Sequence, residues 1–550
     1  MSGTETKKRG LDPRWHAALG QWTGGLSPAA LATAYLDWSL HLLASPDKQT
    51  ELLKLGLTNS PDLDPATDPR FADPAWATYP YNLFAQASMA AQNWCDAATT
   101  NMPGVDPKHA QIVNFAMRQW IDMWSPANFL ATNPQVQQRT REELGQNLIR
   151  GARYWIEDFN RLISKSPRRA STFCVGEDLA TTPGDVIMRN ELMELIRYRP
   201  TTAQVHPEPI LIVPAWIMKY YILDLTAQRS LVAYLRDQGF EVFIMSWKNP
   251  DDTDAALSMQ DYVDIGVRAA MARIKSLGAE HIHAVGYCLG GSLLSIVAAA
   301  MARDGDTTLR TVNLLASQVD FSDPGELGLF VNESQVAFLE DMMAMRGYLK
   351  ADQMAGAFQL LRSNDLIWSR VIRHYLLGER TADNPLMAWN ADATRMPARM
   401  HSEYLRHLFL KNDLAKGRFQ VDGSSVALTD IRCPIYCVAT ETDHVSPWTS
   451  VYKLSLLTDT DVTFVLTNGG HNGGILSEPG HAGRHFRCGH KTEGDTHITA
   501  QDWFDRQTPQ DGSWWTHWSD WLKSKSGDPK DHHPSLVQTL DAAPGRYVFG

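Results

Sequence analysis

Cysteine is scarce in this chain. Six residues, Cys95, Cys174, Cys288, Cys433, Cys437 and Cys488, are spread over 550 positions, which excludes a disulfide framework and leaves the fold to rest on its core. No basic run or stripe occurs, and 51 Lys and Arg against 62 Asp and Glu leave a net charge of −11, which speaks against nucleic acid as a partner. Any polyphosphate ligand must therefore be met by a few local arginines or lysines. The opening MSGTETKKRGLDPRW lacks the apolar stretch of a signal peptide, so the cytoplasm is the expected compartment. Long hydrophobic runs are missing too, with one near exception. Residues 284–302 carry no charge and approach the roughly 18 residues of a membrane span. Gly286, Gly290 and Gly291 at its head fit a strand, a sharp turn and a buried helix instead, so no transmembrane segment is expected.

What is present is an ordinary globular composition in a chain several times the usual domain length of about 100–150 residues, which predicts at least two domains. The first part, 1–175, reads as a helical N-terminal domain. Ser27-Pro28 is a helix start, followed by Leu31, Tyr35, Trp38 and Leu42 at helical spacing, and a second long helix is expected over 136–165. The remainder, 176–550, changes rhythm to short apolar strands alternating with helices, the pattern of a parallel sheet covered on both faces. The expected strands are ILIVP (210–214), EVFIMSW (241–247), HIHAVG (281–286), TVNLLAS (311–317), PIYCVAT (434–440) and DVTFVLT (461–467). Between about 320 and 400 no strand is obvious and methionine is frequent, as in an inserted helical cap.

The segment GYCLGG (286–291) lies between HIHAVG and an apolar helix. Its glycines let the backbone turn sharply and present Cys288 at the strand's end beside a helix N-terminus, where the dipole favours a thiolate. Alone, the match more often describes a buried structural cysteine. Context decides. On an α/β-hydrolase fold the triad runs in the order nucleophile, acid, histidine, with the last two on loops after later strands. Asp443 follows PIYCVAT in ETDHVSPW, and His471 follows DVTFVLT in NGGHNGG. His471 is thus the expected base for Cys288, and Asp443 the acid that orients it, with Asp320 as the competing acid. The oxyanion hole should use the amide of Leu289 and one from the loop 214–221, either Trp216 or Ile217. A cysteine nucleophile exchanges one thioester for another at little free-energy change and keeps the acyl group activated, which points to acyl transfer from a thioester.

Over most of its length the chain resembles the polyhydroxyalkanoate synthases. The resemblance rests on RFADPAW (70–76), SPANFLATNP (125–134), DLATTPGDVIMRNELMELIRY (178–198), ILIVPAWIMKYYILDL (210–225), SWKNPD (246–251), GYCLGG, DFSDPGELG (320–328), MHSEYLRHLFLKNDL (400–414), ETDHVSPW (441–448) and APGRYV (543–548), in one order. It implies an α/β-hydrolase fold with an inserted helical cap that begins at DFSDPGEL, and a polymerase of (R)-3-hydroxyacyl-CoA that releases CoA through an acyl-cysteine on Cys288. By the same resemblance Asp443 also helps deprotonate the incoming 3-hydroxyl, and Arg406 contacts CoA. No cofactor or metal is implied. The implied setting is the cytoplasm, at the surface of polyester granules, as a homodimer with the growing polyester and granule-associated proteins as partners. A thioesterase, a polyester depolymerase and a non-catalytic granule-associated paralogue are the alternatives.

One stretch departs from the family. HNGGILSEPGHAGRHFRCGH (471–490) places Asn472, where an aliphatic residue is usual, beside the histidine, which bears on acyl-chain preference and efficiency. His481, His485, Cys488 and His490 in it match no standard zinc spacing, so the stretch reads as a solvated loop. In the tail, Trp514, Trp518 and Trp521 share one helix face and read as core packing.

Overall fold

The computed structural model describes residues 10–23, 25–57, 63–164, 172–351, 353–354, 356, 363, 367–380, 382–531 and 537–550. They form two compact units, one drawn from Met1–Ala18, Ser171–Gln353 and Asp383–Gly550, the other from Leu19–Ala170 and Met354–Ala382.

The first unit is built on a sheet whose eleven strands, in chain order, are β1 (Asp185–Arg189), β2 (Met193–Tyr198), β3 (Ile210–Val213), β4 (Val242–Trp247), β5 (Ile282–Tyr287), β6 (Leu309–Leu315), β7 (Ile435–Thr440), β8 (Val462–Thr467), β9 (His485–Lys491), β10 (Gln510–Asp511) and β11 (Asp541–Ala542). Their order in space is β10-β9-β8-β7-β6-β5-β3-β4-β2-β1-β11. Strands β3 to β8 are parallel, and the flanking strands on both sides are antiparallel. All six strands expected from the sequence are present. They read as unbroken apolar runs because helices cover both faces, and in β4, β5, β7 and β8 every residue is buried.

Strand order reverses between β3 and β5, since the chain goes from β3 outward to β4 and then returns to β5 on the other side. In open α/β sheets the crevice at the strand ends beside such a reversal is where ligands bind. The uncharged run 284–302 is resolved as expected, with β5 followed by a helix, Leu289–Arg303, buried from Gly290 to Met301. No helix among the described residues is long and apolar enough to cross a membrane.

Three local expectations change. The stretch read as a solvated loop contains β9, which pairs with β8 from Phe486 to Lys491; the alternation needed to see it is interrupted by Gly489 and His490. His481 bonds Glu478, Cys488 lies 3.6 Å from His517 and His490 lies 3.1 Å from Thr463, so these side chains diverge to separate neighbours. The segment 320–397, in which no strand was expected, holds a two-residue ladder between Tyr348–Leu349 and Met396–Pro397 beside the helix Glu333–Ala344.

In the second unit Ser27 caps the helix Pro28–Leu43, its side chain accepting from the Ala30 amide. The single helix expected over 136–165 is two, Pro134–Glu142 and Gln146–Ser164. Leu144 and Gly145 between them have φ of 50° and 84°, and the Gly145 amide closes back onto the Thr140 carbonyl. The apolar spacing runs through this break, which is why the sequence did not show it.

The tail helix Trp514–Lys525 packs its tryptophans into the core, as expected. Trp514 and Trp515 donate to the carbonyls of Gly474 and Ile475, and Trp518 to Asn313. Two of these three bonds brace the loop that follows His471.

Candidate active site

Cys288 sits between β5 and the helix Leu289–Arg303 with φ 53° and ψ −124°, a conformation costly for any residue with a Cβ. The turn holds because backbone closes in on every side. A methyl on Gly286 would meet the Gly291 Cα at 2.3 Å, one on Gly290 the Val213 carbonyl oxygen at 2.1 Å, and one on Gly291 the Ser317 hydroxyl at 2.0 Å. The Cys288 amide donates to the Leu315 carbonyl, and its own carbonyl accepts from the Ser317 hydroxyl at 2.7 Å. The side chain is buried, with the residue 8% exposed.

Asp443 and His471 follow the ends of β7 and β8. His471 Nδ1 lies 2.7 Å from Asp443 Oδ2, and the Cys288 thiol lies within electrostatic reach of the same ring. Asp443 Oδ1 accepts from the amides of Val445 and Ser446 at 2.8 and 2.9 Å, and Thr440 donates to Oδ2 at 3.1 Å. Burial pushes this carboxyl up, but the charge and hydrogen bond of His471 and the two amides outweigh it and hold it below the usual carboxylate range. For His471, burial pulls the pKa down, while Cys288 and Asp443 raise it well above the usual histidine value. The three side chains therefore stand together, with Asp443 bonded to His471 and the imidazole beside the sulfur whose proton it could take. Asp320, the competing acid, binds the Ser322 amide at 2.7 Å and the Asn412 side chain at 3.1 Å instead.

Among the described residues the amides of Leu289, Trp216 and Ile217 donate to no protein acceptor, so each is free to receive an oxyanion. The loop that carries the latter two is fastened by its carbonyls. Trp247 donates to Pro214, the Thr394 hydroxyl to Trp216, the Thr394 amide to Ile217 and Trp389 to Lys219. The Lys219 ammonium, itself buried, donates to the carbonyls of Tyr547 and Gly550, and the buried Glu194 accepts from the amides of Arg546 and Tyr547. The APGRYV block is thus a brace for the loop 214–219. Arg406 lies away from these groups in ion pairs with Glu340 at 2.7 Å and Glu333 at 2.9 Å.

Two residues of the site escaped the sequence reading. Tyr404, from MHSEYLRHLFL, has its hydroxyl within electrostatic reach of Cys288. Tyr287, next to the nucleophile, donates to Asn472 Oδ1 at 2.5 Å, and its ring lies 5.9 Å from that of His471. The unusual asparagine is therefore tied to Tyr287, and the neighbours of the two reacting side chains are bonded to each other. Tyr287→Phe or Asn472→Leu alone should each cost about 1 kcal/mol, because the remaining partner loses a bond at a part-buried place, whereas the double variant should cost less than the sum. Urea unfolding of the four proteins checks this, and additive losses would show that the bond is not coupled.

A model described as the N-terminus of poly-beta-hydroxybutyrate polymerase (PhaC) matches residues 67–235, one described as poly-beta-hydroxybutyrate polymerase N terminal matches 6–48, and the alpha/beta hydrolase fold model matches 208–477. The chain is 38% identical to a poly(3-hydroxyalkanoate) polymerase of Methylorubrum extorquens, over 88% of this chain and 81% of that one. It is 36% identical to a poly(3-hydroxyalkanoate) polymerase subunit of Cupriavidus necator, over 88% and 83% of the two chains. A solved monoacylglycerol lipase from Paleococcus ferrophilus, 12% identical, aligns with 61% of this chain and all of its own at a TM-score of 0.34, a likeness too slight to carry weight.

Proposed function

The chain belongs to the poly(3-hydroxyalkanoate) polymerases, acyltransferases of the α/β-hydrolase fold, and from that premise we propose that it polymerises (R)-3-hydroxyacyl-CoA through an acyl group carried on Cys288. The observation that carries the assignment of residues is the His471–Asp443 hydrogen bond set within electrostatic reach of Cys288 on its strained turn.

The Cys288 proton passes to His471 and the sulfur attacks the thioester carbonyl. Negative charge on that oxygen is received by the Leu289 amide and by Trp216 or Ile217. The bond to the CoA sulfur breaks, and the imidazolium returns its proton to the leaving thiolate. The 3-hydroxyl of the next unit then loses its proton to the His471–Asp443 pair and attacks the acyl-cysteine, releasing Cys288 and lengthening the chain by one ester. Only acyl groups and protons move, so no cofactor takes part. Cys288 is buried, so residues over it, Tyr404 among them, move to admit substrate. Arg406 meets the phosphates of CoA only in exchange for Glu333 and Glu340. The setting that follows is cytoplasmic, at the surface of the polyester, as a homodimer with granule-associated proteins as further partners.

Purified protein supplied with (R)-3-hydroxybutyryl-CoA should release CoA in step with polymer formed and leave no free 3-hydroxybutyrate. Free acid in place of polymer would instead make it a hydrolase, and release of neither would make it a non-catalytic paralogue.

A further inference from the structure

Trp216 is 2% exposed, and its indole N–H has no hydrogen-bond partner. Other tryptophans of this unit are satisfied. Trp247 and Trp389 donate to carbonyls of the very loop that carries Trp216, at 2.9 and 2.8 Å, and Trp514, Trp515 and Trp518 also find acceptors. The nearby carbonyls of Pro214, Trp216, Ile217 and Lys219 accept from Trp247, Thr394 and Trp389, and none of them receives the Trp216 indole. A buried donor left without an acceptor weakens the fold, and its persistence calls for an acceptor that arrives later.

Its position says what that acceptor is. Trp216 follows the end of β3, where the carbonyls of Val213 and Pro214 press against Gly290 of the nucleophile turn. Its ring meets Tyr404 edge-on at 5.5 Å and Tyr262 at 5.9 Å. Tyr404 in turn has its hydroxyl within electrostatic reach of Cys288 and its ring 5.3 Å from Phe409. The ring neighbours of the indole are aromatic, so they suit a neutral oxygen in an otherwise apolar chain better than a phosphate or carboxylate.

We propose that the Trp216 indole N–H donates to the 3-oxygen of the acyl group on Cys288, and so distinguishes 3-hydroxyacyl from plain acyl thioesters. This inference rests on the polymerase reading. The 3-oxygen stands two carbons from the carbonyl whether it is the free hydroxyl of a first unit or the ester oxygen of a grown chain. One donor therefore serves every cycle.

The test is single-turnover release of CoA from (R)-3-hydroxybutyryl-CoA and from butyryl-CoA, which differ only at that oxygen. Wild-type protein should acylate faster with the hydroxylated substrate, and Trp216→Phe, which removes the N–H and keeps an aromatic ring, should narrow the ratio of the two rates by about 10-fold. Its thermal midpoint should not fall in step with that loss, because an unsatisfied buried donor has been removed. A ratio unchanged by Trp216→Phe, even with both rates lowered together, would overturn the inference and leave the indole a packing group. If that variant does not fold, benzothienylalanine at position 216 keeps the bicyclic shape without the donor and gives the same comparison. Failure of the wild-type protein to release CoA from (R)-3-hydroxybutyryl-CoA would take down the polymerase reading and this inference with it.

Discussion

Cys288→Ala should release CoA at least about 10⁴-fold more slowly than the wild-type protein, because the acyl acceptor itself is gone and a methyl group cannot replace it. The variant should fold, since the turn is held by backbone contacts and not by the sulfur. Cys288→Ser should also lose most of its activity, its hydroxyl being far less acidic than a thiol at neutral pH. The backbone at 288 adds a second, independent outcome. At φ 53° a side chain is strained, so Cys288→Gly should melt above Cys288→Ala, by about 1 kcal/mol or more, the reverse of the usual order of the two residues. Steady-state CoA release and thermal unfolding of the three variants check both statements. An alanine variant that still makes polymer would remove Cys288 from the mechanism, and mass spectrometry of trapped wild-type protein should place the acyl mass on the peptide containing it.

The second large effect separates the two other members of the candidate triad. His471→Ala should block acylation altogether, because His471 is the base within electrostatic reach of the thiol and Asp443 is bonded to that imidazole. Asp443→Asn keeps a group of the same size and leaves the imidazole beside the sulfur. If Asp443 acts chiefly on the incoming hydroxyl, this variant should give one burst of CoA comparable to the protein present and then stall before chain growth. Rapid-quench measurement of CoA per protein checks it. A burst in His471→Ala with none in Asp443→Asn would reverse the roles, and equal loss of both steps in the two variants would leave Asp443 only the task of orienting the histidine.

How far the sequence already carried these residues depends on the range over which their partners lie. The parallel strands were legible because each is a short apolar run bounded by turn residues, and the candidate triad because its three residues fall at the ends of three of them in a fixed order. Strand β9 was not legible, since Gly489 and His490 interrupt its pattern and its pairing with β8 supplies what the pattern lacks. The break at Leu144 and Gly145 was hidden by apolar spacing that continues across it. Tyr287 and Asn472 stand side by side with Cys288 and His471 in the chain, but their bond joins positions 185 residues apart, and no local spacing announces it. The unsatisfied indole of Trp216 is a still less local fact. It is defined by where the indole nitrogen comes to rest, which only the folded loop reveals.

The nucleophile turn has a bearing on how such a protein can diverge. At Gly286, Gly290 and Gly291 the space for a single carbon is already filled by main chain or by Ser317, so the immediate bed of Cys288 admits almost no variation in side chain. Selection, or a mutagenesis library, that seeks a polyester of different monomer composition will find few productive changes there. The freedom lies one layer out, at Trp216, Tyr404 and Asn472, where a ring or an amide can be exchanged without moving the backbone that presents the sulfur.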